Sequence, residues 1–247
     1  MSEQKPAVVL VHGAFAESAS WNGVIEQLQA ESIDAVAVAN PLRSVTGDAA
    51  YVRDVIAGIG RPVVLVGHSY GGMVITEAAA GNDSVVALVY VDAFTPDHGE
   101  NALELSMKFP GSTLGEAIAA YPVSTGGNEF VIRKDAFHHQ FAADVSASEA
   151  ALMAATQRPV TEAALTEPLP TETPAWKTIP AWFVISDQDL NIPVELHRFF
   201  AERAGSRGTR EIQGASHALS VSQPGAVATS ILEAIAGAVT RPEAVLS

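Results

Sequence analysis

One serine in the 247 residues stands among glycines: Gly67-His68-Ser69-Tyr70-Gly71-Gly72, directly after the apolar run VVLV. A serine hydroxyl is a poor nucleophile unless a base lies within hydrogen-bond reach. A candidate base occurs near the end of the chain, in Gly214-Ala215-Ser216-His217, and carboxylates that could orient its ring lie between the two, in SDQDLNIP, residues 186–193. Such a set allows nucleophilic acyl transfer. Ser69 attacks, His217 takes its proton and later returns it, and the acid fixes the imidazole tautomer and stabilises the imidazolium. The pattern G-x-S-x-G on its own has a simpler explanation, because a plain strand-to-helix turn uses the same glycines. The elements around it decide.

Short apolar runs alternate with helical periodicity. Residues 7–11 (AVVLV) read as a buried strand. Ser20 reads as a helix N-cap, with Trp21, Val24, Ile25 and Leu28 at i, i+3, i+4 and i+7. Strands follow at 33–39, 62–66 and 85–91, with helices at 48–59 and 73–80 between them. The rhythm stops after Asp92. From about Phe94 to Lys177 there is no comparable β-branched run, only alanine-rich helical patches (114–120 and 148–156) and a loop rich in Pro and Thr (168–174). A structureless loop of that length is improbable in a compact domain, so this stretch reads as a helical insertion. Alternation resumes with strands at 181–185 and 209–212 and helices at 193–204 and 224–239, the first opened by Pro193.

Strands separated by helices require a parallel sheet with right-handed crossovers and helices on both faces. Ligands then bind beyond the carboxyl ends of the strands. His12-Gly13, Ser69, Asp92, Asp187, Asp189 and His217 all fall just after predicted strands. The elbow serine follows a strand and opens a helix, and the chain order is Ser, Asp, His; both match the context in which G-x-S-x-G is a nucleophile elbow.

The bulk numbers narrow the partners. Fourteen Lys and Arg against 28 Asp and Glu give a net charge of −14, and no basic run occurs. This argues against nucleic acid and anionic membrane as partners. Without cysteine there is no disulfide, thiolate metal site or cysteine nucleophile. The N-terminal residues lack the apolar stretch and cleavage site of a signal peptide, and no apolar run approaches a membrane span, so the expected location is cytoplasmic. Nothing in the sequence excludes a homodimer.

VLVHGAF, LVGHSYGGM, VISDQDLNIP and GASH together resemble the α/β-hydrolase superfamily, and within it the small esterase branch that includes plant methylesterases, hydroxynitrile lyases and bacterial relatives. The resemblance spans nearly the whole chain and is weakest in the insertion. It implies a core of about six mostly parallel strands built from residues 1–93 and 178–247. Residues 94–177 would form a helical cap over the site. It also implies a Ser69, Asp189, His217 triad without cofactor or metal, and backbone N–H groups of Ala14 and Tyr70 as the oxyanion hole. Asp189 is favoured over Asp187 by the trailing Ile192-Pro193, which leaves Asp187 to order the loop, and Asp92 is an outside candidate. Phe15, Phe94, Leu190 and Trp176 are candidates for the wall of an apolar substrate pocket.

Other polar residues have ordinary structural readings. His12 orders the first loop, His68 packs beside the elbow, and Ser216 is structural. His138 and His139 with Asp144 suggest a metal site at first sight, yet adjacent histidines point apart on a helix or a strand. The function implied is cofactor-free hydrolysis of a small, fairly apolar carboxylic ester through an acyl-enzyme. Lactonase or perhydrolase chemistry on the same triad, and a ligand-binding receptor of this fold, are the alternatives. Lyase chemistry is disfavoured because Gly13 and Ala218 stand where lyases of the branch carry threonine and lysine.

Overall fold

The computed structural model describes residues 5–239; the ends of the expected core segments, residues 1–4 and 240–247, lie outside the described residues. Among the described residues nine strands form: β1 (Ala7–Val11), β2 (Ala35–Val38), β3 (Val63–His68), β4 (Val85–Val91), β5 (Ile118–Pro122), β6 (Asn128–Ile132), β7 (Val160–Thr161), β8 (Ala181–Ser186) and β9 (Gly208–Ile212). Six of them make one parallel sheet in the order β2-β1-β3-β4-β8-β9.

The sheet is buried on both faces, which is why its central strands read as unbroken aliphatic runs rather than alternating ones. Val9, Val11 and Leu65 face one apolar cluster, with helices Val45–Ile59, Gly71–Ala79 and Val194–Arg203. Val8, Leu10, Val64 and Val66 face the other, against Trp21, Leu28, Val227 and Ile231 from helices Asn22–Ala30 and Pro224–Val239 and the turn before the first of them. Among the described residues no helix is long and apolar enough to cross a membrane.

Helix starts differ locally from the sequence reading. Ser20 is not an N-cap; it sits in a 3₁₀ turn (Ser18–Trp21) with its Oγ donating to the Glu17 carbonyl, and the α-helix begins at Asn22. The second helix begins three residues earlier than the periodicity indicates, because Ser44 caps it by accepting from the Gly47 N–H at 3.0 Å.

The insertion is not purely helical. It carries helices Ala102–Ser106, Leu114–Ala117, Lys134–Phe141, Ala147–Thr156 and Glu162–Thr166, and also an antiparallel sheet in the order β5-β6-β7. The hairpin joining β5 to β6 turns through Gly126 and Gly127, both with positive φ (95° and 78°). Alanines and a proline in β5 hide the strand from any reading based on β-branched content. The glycine pair ahead of Phe130-Val131-Ile132 was the available signal.

Candidate active site

The carboxyl ends of β1, β3, β4 and β8 lie side by side, since Val11 pairs with Gly67, His68 with Val91 and Val91 with Val184. Ser69 follows β3 with φ +55°, the left-handed region that a serine adopts only when its surroundings enforce it. The surroundings here are backbone. A Cβ on Gly71 would come within 2.4 Å of the Val11 carbonyl oxygen, and one on Gly72 within 2.0 Å of the Phe94 carbonyl oxygen. The turn can therefore press against β1 and the segment after β4 only because these positions lack side chains.

Ser69 and His217 line the same cavity, and both are almost wholly buried. His217 Nδ1 donates to Asp189 Oδ2 at 2.6 Å. This fixes the tautomer and leaves Nε2 with a free lone pair to serve as base. Burial alone would raise the Asp189 pKa, but the His217 charge and the hydrogen bonds from His197 and His217 override it and hold the carboxyl well below its usual range. Asp189 Oδ1 accepts from the Asn191 and Ile192 N–H groups at 2.7 and 3.0 Å. The carboxylate is thus anchored from both sides.

Asp187 does not face His217. Its Oδ1 accepts from the Gly214 N–H at 2.7 Å, ordering the loop that carries the histidine. Asp92 is fully buried, accepts from Ser186 N–H and Oγ–H at 2.7 and 2.8 Å, and reaches His197 rather than His217. His12 Nδ1 donates to the Gly13 carbonyl within the first loop, and burial pushes its pKa down to about 4. His68 Nε2 donates to the His217 carbonyl at 2.9 Å, and burial with the nearby His217 charge pushes it down to about 3. Both rings stay neutral in the physiological range.

Ala14 and Tyr70 both line the cavity, and neither N–H donates to a protein acceptor among the described residues. The neighbouring Phe15 N–H is already engaged by the Arg158 carbonyl at 3.1 Å. Two free N–H groups beside a buried hydroxyl can stabilise an oxyanion. The Tyr70 hydroxyl donates to Asp48 Oδ2 at 3.1 Å.

The cavity measures about 490 Å³ and is walled mainly by Phe15, Phe94, Phe109, Leu114, Phe130 and Leu165, with no Asp, Glu, Lys or Arg among its lining residues. Two residues named from sequence lie elsewhere. Leu190 does not line the cavity; its carbonyl is turned to the Gln140 amide and the Thr113 N–H, and Asn191 and Ile192 present the acid loop instead. Trp176, within the insertion, is buried with Nε1 donating to the Pro96 carbonyl at 2.7 Å, and it too is absent from the lining.

His138 and Asp144 are each occupied, by the Val145 carbonyl and by Ser216 Oγ–H. Among the described residues, the ligand-type side chains that do cluster are Asp92, Asp189 and His197. Their atoms already serve Ser186, His217 and one another in hydrogen bonds. Sequence reading passed over His197 because, between Leu196 and Phe200, it looks like one more position on a helical face.

Comparisons with known proteins agree with this architecture. A family model described as "Alpha/beta hydrolase family" matches residues 8–230. The alpha/beta hydrolase nvfD of Aspergillus novofumigatus is 28% identical over 213 residues, 76% of this chain and 80% of the relative. A carbendazim hydrolyzing esterase of a Nocardioides species is 46% identical over 63 residues, 24% of this chain and 26% of that one. The crystal structure of polyneuridine aldehyde esterase superposes with a TM-score of 0.78 at 21% identity, covering 93% of this chain and 99% of that chain, a likeness of fold. By the match of this model across almost all of its sheet and helices, the chain belongs to the alpha/beta hydrolase family.

Proposed function

We propose that the protein hydrolyses uncharged, largely apolar carboxylic esters through an acyl-enzyme on Ser69. The observation that carries this reading is an imidazole fixed by a buried carboxylate, sharing with Ser69 an apolar cavity without a charged wall residue. The esterases among its relatives, one named for carbendazim and one for polyneuridine aldehyde, support the same chemistry.

In the first half-reaction Ser69 Oγ attacks the carbonyl carbon while His217 Nε2 takes its proton. The oxyanion forms against the Ala14 and Tyr70 N–H groups. The tetrahedral intermediate collapses by breaking the C–O bond to the alcohol, which leaves with the proton from His217. Water then repeats the sequence on the acyl-Ser69 ester, releasing the acid and regenerating the hydroxyl. A carboxylate product has no cationic partner on the cavity wall and is expelled to solvent.

The test is turnover of p-nitrophenyl butyrate. Ser69→Ala and His217→Ala should each lower kcat/KM by about 10³-fold or more while both variants keep the parent circular dichroism. Ligand binding without turnover in the parent protein would instead mark a receptor. A matched lactone, and hydrogen peroxide as acyl acceptor, separate simple esterase activity from the related lactonase and perhydrolase reactions.

A further inference from the structure

We propose that His197 is a positioning residue: its Nε2–H shares one oxygen of Asp189 with His217 Nδ1–H and so fixes the carboxylate against which the reactive imidazole is aligned. The inference rests on the ester-hydrolysis reading above.

His197 lies in the first turn of helix Val194–Arg203, immediately after the acid loop, on the face that buries Leu196 and Phe200. An apolar side chain would satisfy that packing, and a buried imidazole is costly unless its N–H finds an acceptor. The acceptor is Asp189 Oδ2 at 3.0 Å, the same atom that takes the 2.6 Å bond from His217. Oδ1 is held by two backbone N–H groups. All four acceptor positions of the carboxylate are therefore filled, and it cannot rotate without breaking several bonds.

The electrostatics follow from the same geometry. Asp92 Oδ1 stands 3.6 Å from the same His197 Nε2, so the two carboxylates face one ring nitrogen. Burial and the Asp189 charge raise the Asp92 pKa well above the usual range, and burial lowers that of His197, so both shifts disfavour charge on the groups beside the Asp189 carboxylate. The remaining ionisable groups near the two imidazoles are His68, 4.7 Å from the His217 ring between centroids, and Asp144, bound to Ser216. His68 is neutral above about pH 3 and so adds no transition of its own where activity is measured.

If the second N–H is removed, more of the Asp189 charge falls on His217, and its imidazolium is stabilised beyond what proton return to the leaving group requires. His197→Phe keeps an aromatic ring and removes the donor; His197→Gln keeps a donor. Should the phenylalanine variant not fold, His197→Met takes its place. The readouts are kcat and KM against pH with p-nitrophenyl butyrate, and the low-field proton resonance of His217 Nδ1–H. For the apolar variant the expected result is a fall in kcat of about tenfold with KM nearly unchanged, the acid limb displaced upward by about half a pH unit, and a displaced low-field resonance. His197→Gln should recover most of each. Equal effects from the apolar and glutamine variants, or a rate loss with neither the limb nor the resonance moved, would overturn the proposal. If the parent protein turns over no ester, the ester-hydrolysis reading fails by itself, and the resonance together with the His217 titration still decides whether His197 positions Asp189.

Discussion

The rim of the parallel sheet and the insertion contribute to the same cavity in different ways. The rim supplies Ser69, His217, Ala14 and Tyr70, each at or near a strand end. Three of its residues, Phe15, Ser69 and Asp92, hold positive φ without being glycine, at 62°, 55° and 41°. Such conformations persist only where the surrounding packing over-determines them. The insertion supplies most of the apolar wall from short helices and a small sheet.

Yet the insertion also grips the rim at three points. Arg158 exchanges backbone hydrogen bonds with Phe15 and Ala16 in the loop after β1. Gln140 donates to the Leu190 carbonyl and to Asn191 Oδ1 in the acid loop. Asp144 and the Phe141 carbonyl accept from Ser216 Oγ beside the base. The difference teaches that wall and brace are separable jobs of one segment, carried by different residues.

The largest effects should come from the rim. Gly72→Ala places a carbon 2.0 Å from a backbone oxygen that has no rotamer in which to escape, so little or no folded protein is expected, read as soluble yield and circular dichroism. Recovery of a normally folded, active variant would show the elbow to be far less constrained than its contacts indicate. Next in size is Asp189→Asn, which keeps the shape but removes the charge and favours the wrong imidazole tautomer. A loss in kcat of roughly 10³- to 10⁴-fold is expected with only a modest change in Tm.

The two jobs of the insertion can be pulled apart by a pair of substitutions. Gln140→Ala touches no cavity surface, so it should lower kcat by about tenfold on short and long p-nitrophenyl esters alike, through a loosened acid loop. Phe130→Ala enlarges the wall. It should leave kcat on the acetate ester within about threefold while shifting kcat/KM toward longer chains, because a methylene in an apolar pocket is worth only about 1–3 kcal/mol. If both variants changed chain-length preference equally, wall and brace would not be distinct.

The same contrast explains what could be read from sequence. The rim is legible because its constraints are local and chemical: aliphatic strands, glycines at backbone contacts, and Ser, Asp and His in a fixed order after strand ends. The choice of Asp189 over Asp187 needed the trailing Ile192-Pro193, and the structure gives the two acids different partners, His217 and the Gly214 N–H. The insertion is poorly legible because its strands are short and half-exposed and β5 is alanine-rich, so period and propensity both fade. Leu190 and Trp176 were misplaced for a related reason: being apolar and near the site in sequence says nothing about which way a loop turns its side chains. His197 was missed because its partner lies in a loop, eight residues earlier and around a turn.

The smallest effect tests whether the two sides of Tyr70 act independently. The residue lines the cavity while its hydroxyl donates to Asp48, which also accepts from the Arg43 N–H. Burial raises the Asp48 pKa from 3.8 to about 6, against the opposing pull of those hydrogen bonds. Because the folded value lies above the unfolded one, the native state binds this proton more tightly. Asp48 therefore weakens folding progressively as pH rises from about 4 to about 6, and by a constant amount above that. Tyr70→Phe removes a donor to the ionised form, so its deficit should be greater at pH 8, about 1–2 kcal/mol, than at pH 5, where the native carboxyl is largely protonated and the deficit should be no more than about half as large. Activity, which in the proposed mechanism draws on the backbone N–H, should stay within a few-fold of the parent. Denaturant unfolding at the two pH values measures the first expectation and p-nitrophenyl ester turnover the second. A stability loss equal at both pH values would mean that the hydroxyl serves packing rather than the Asp48 charge. A collapse in turnover without unfolding would mean that the hydroxyl, through its bond to Asp48, also sets where the proposed oxyanion donor sits.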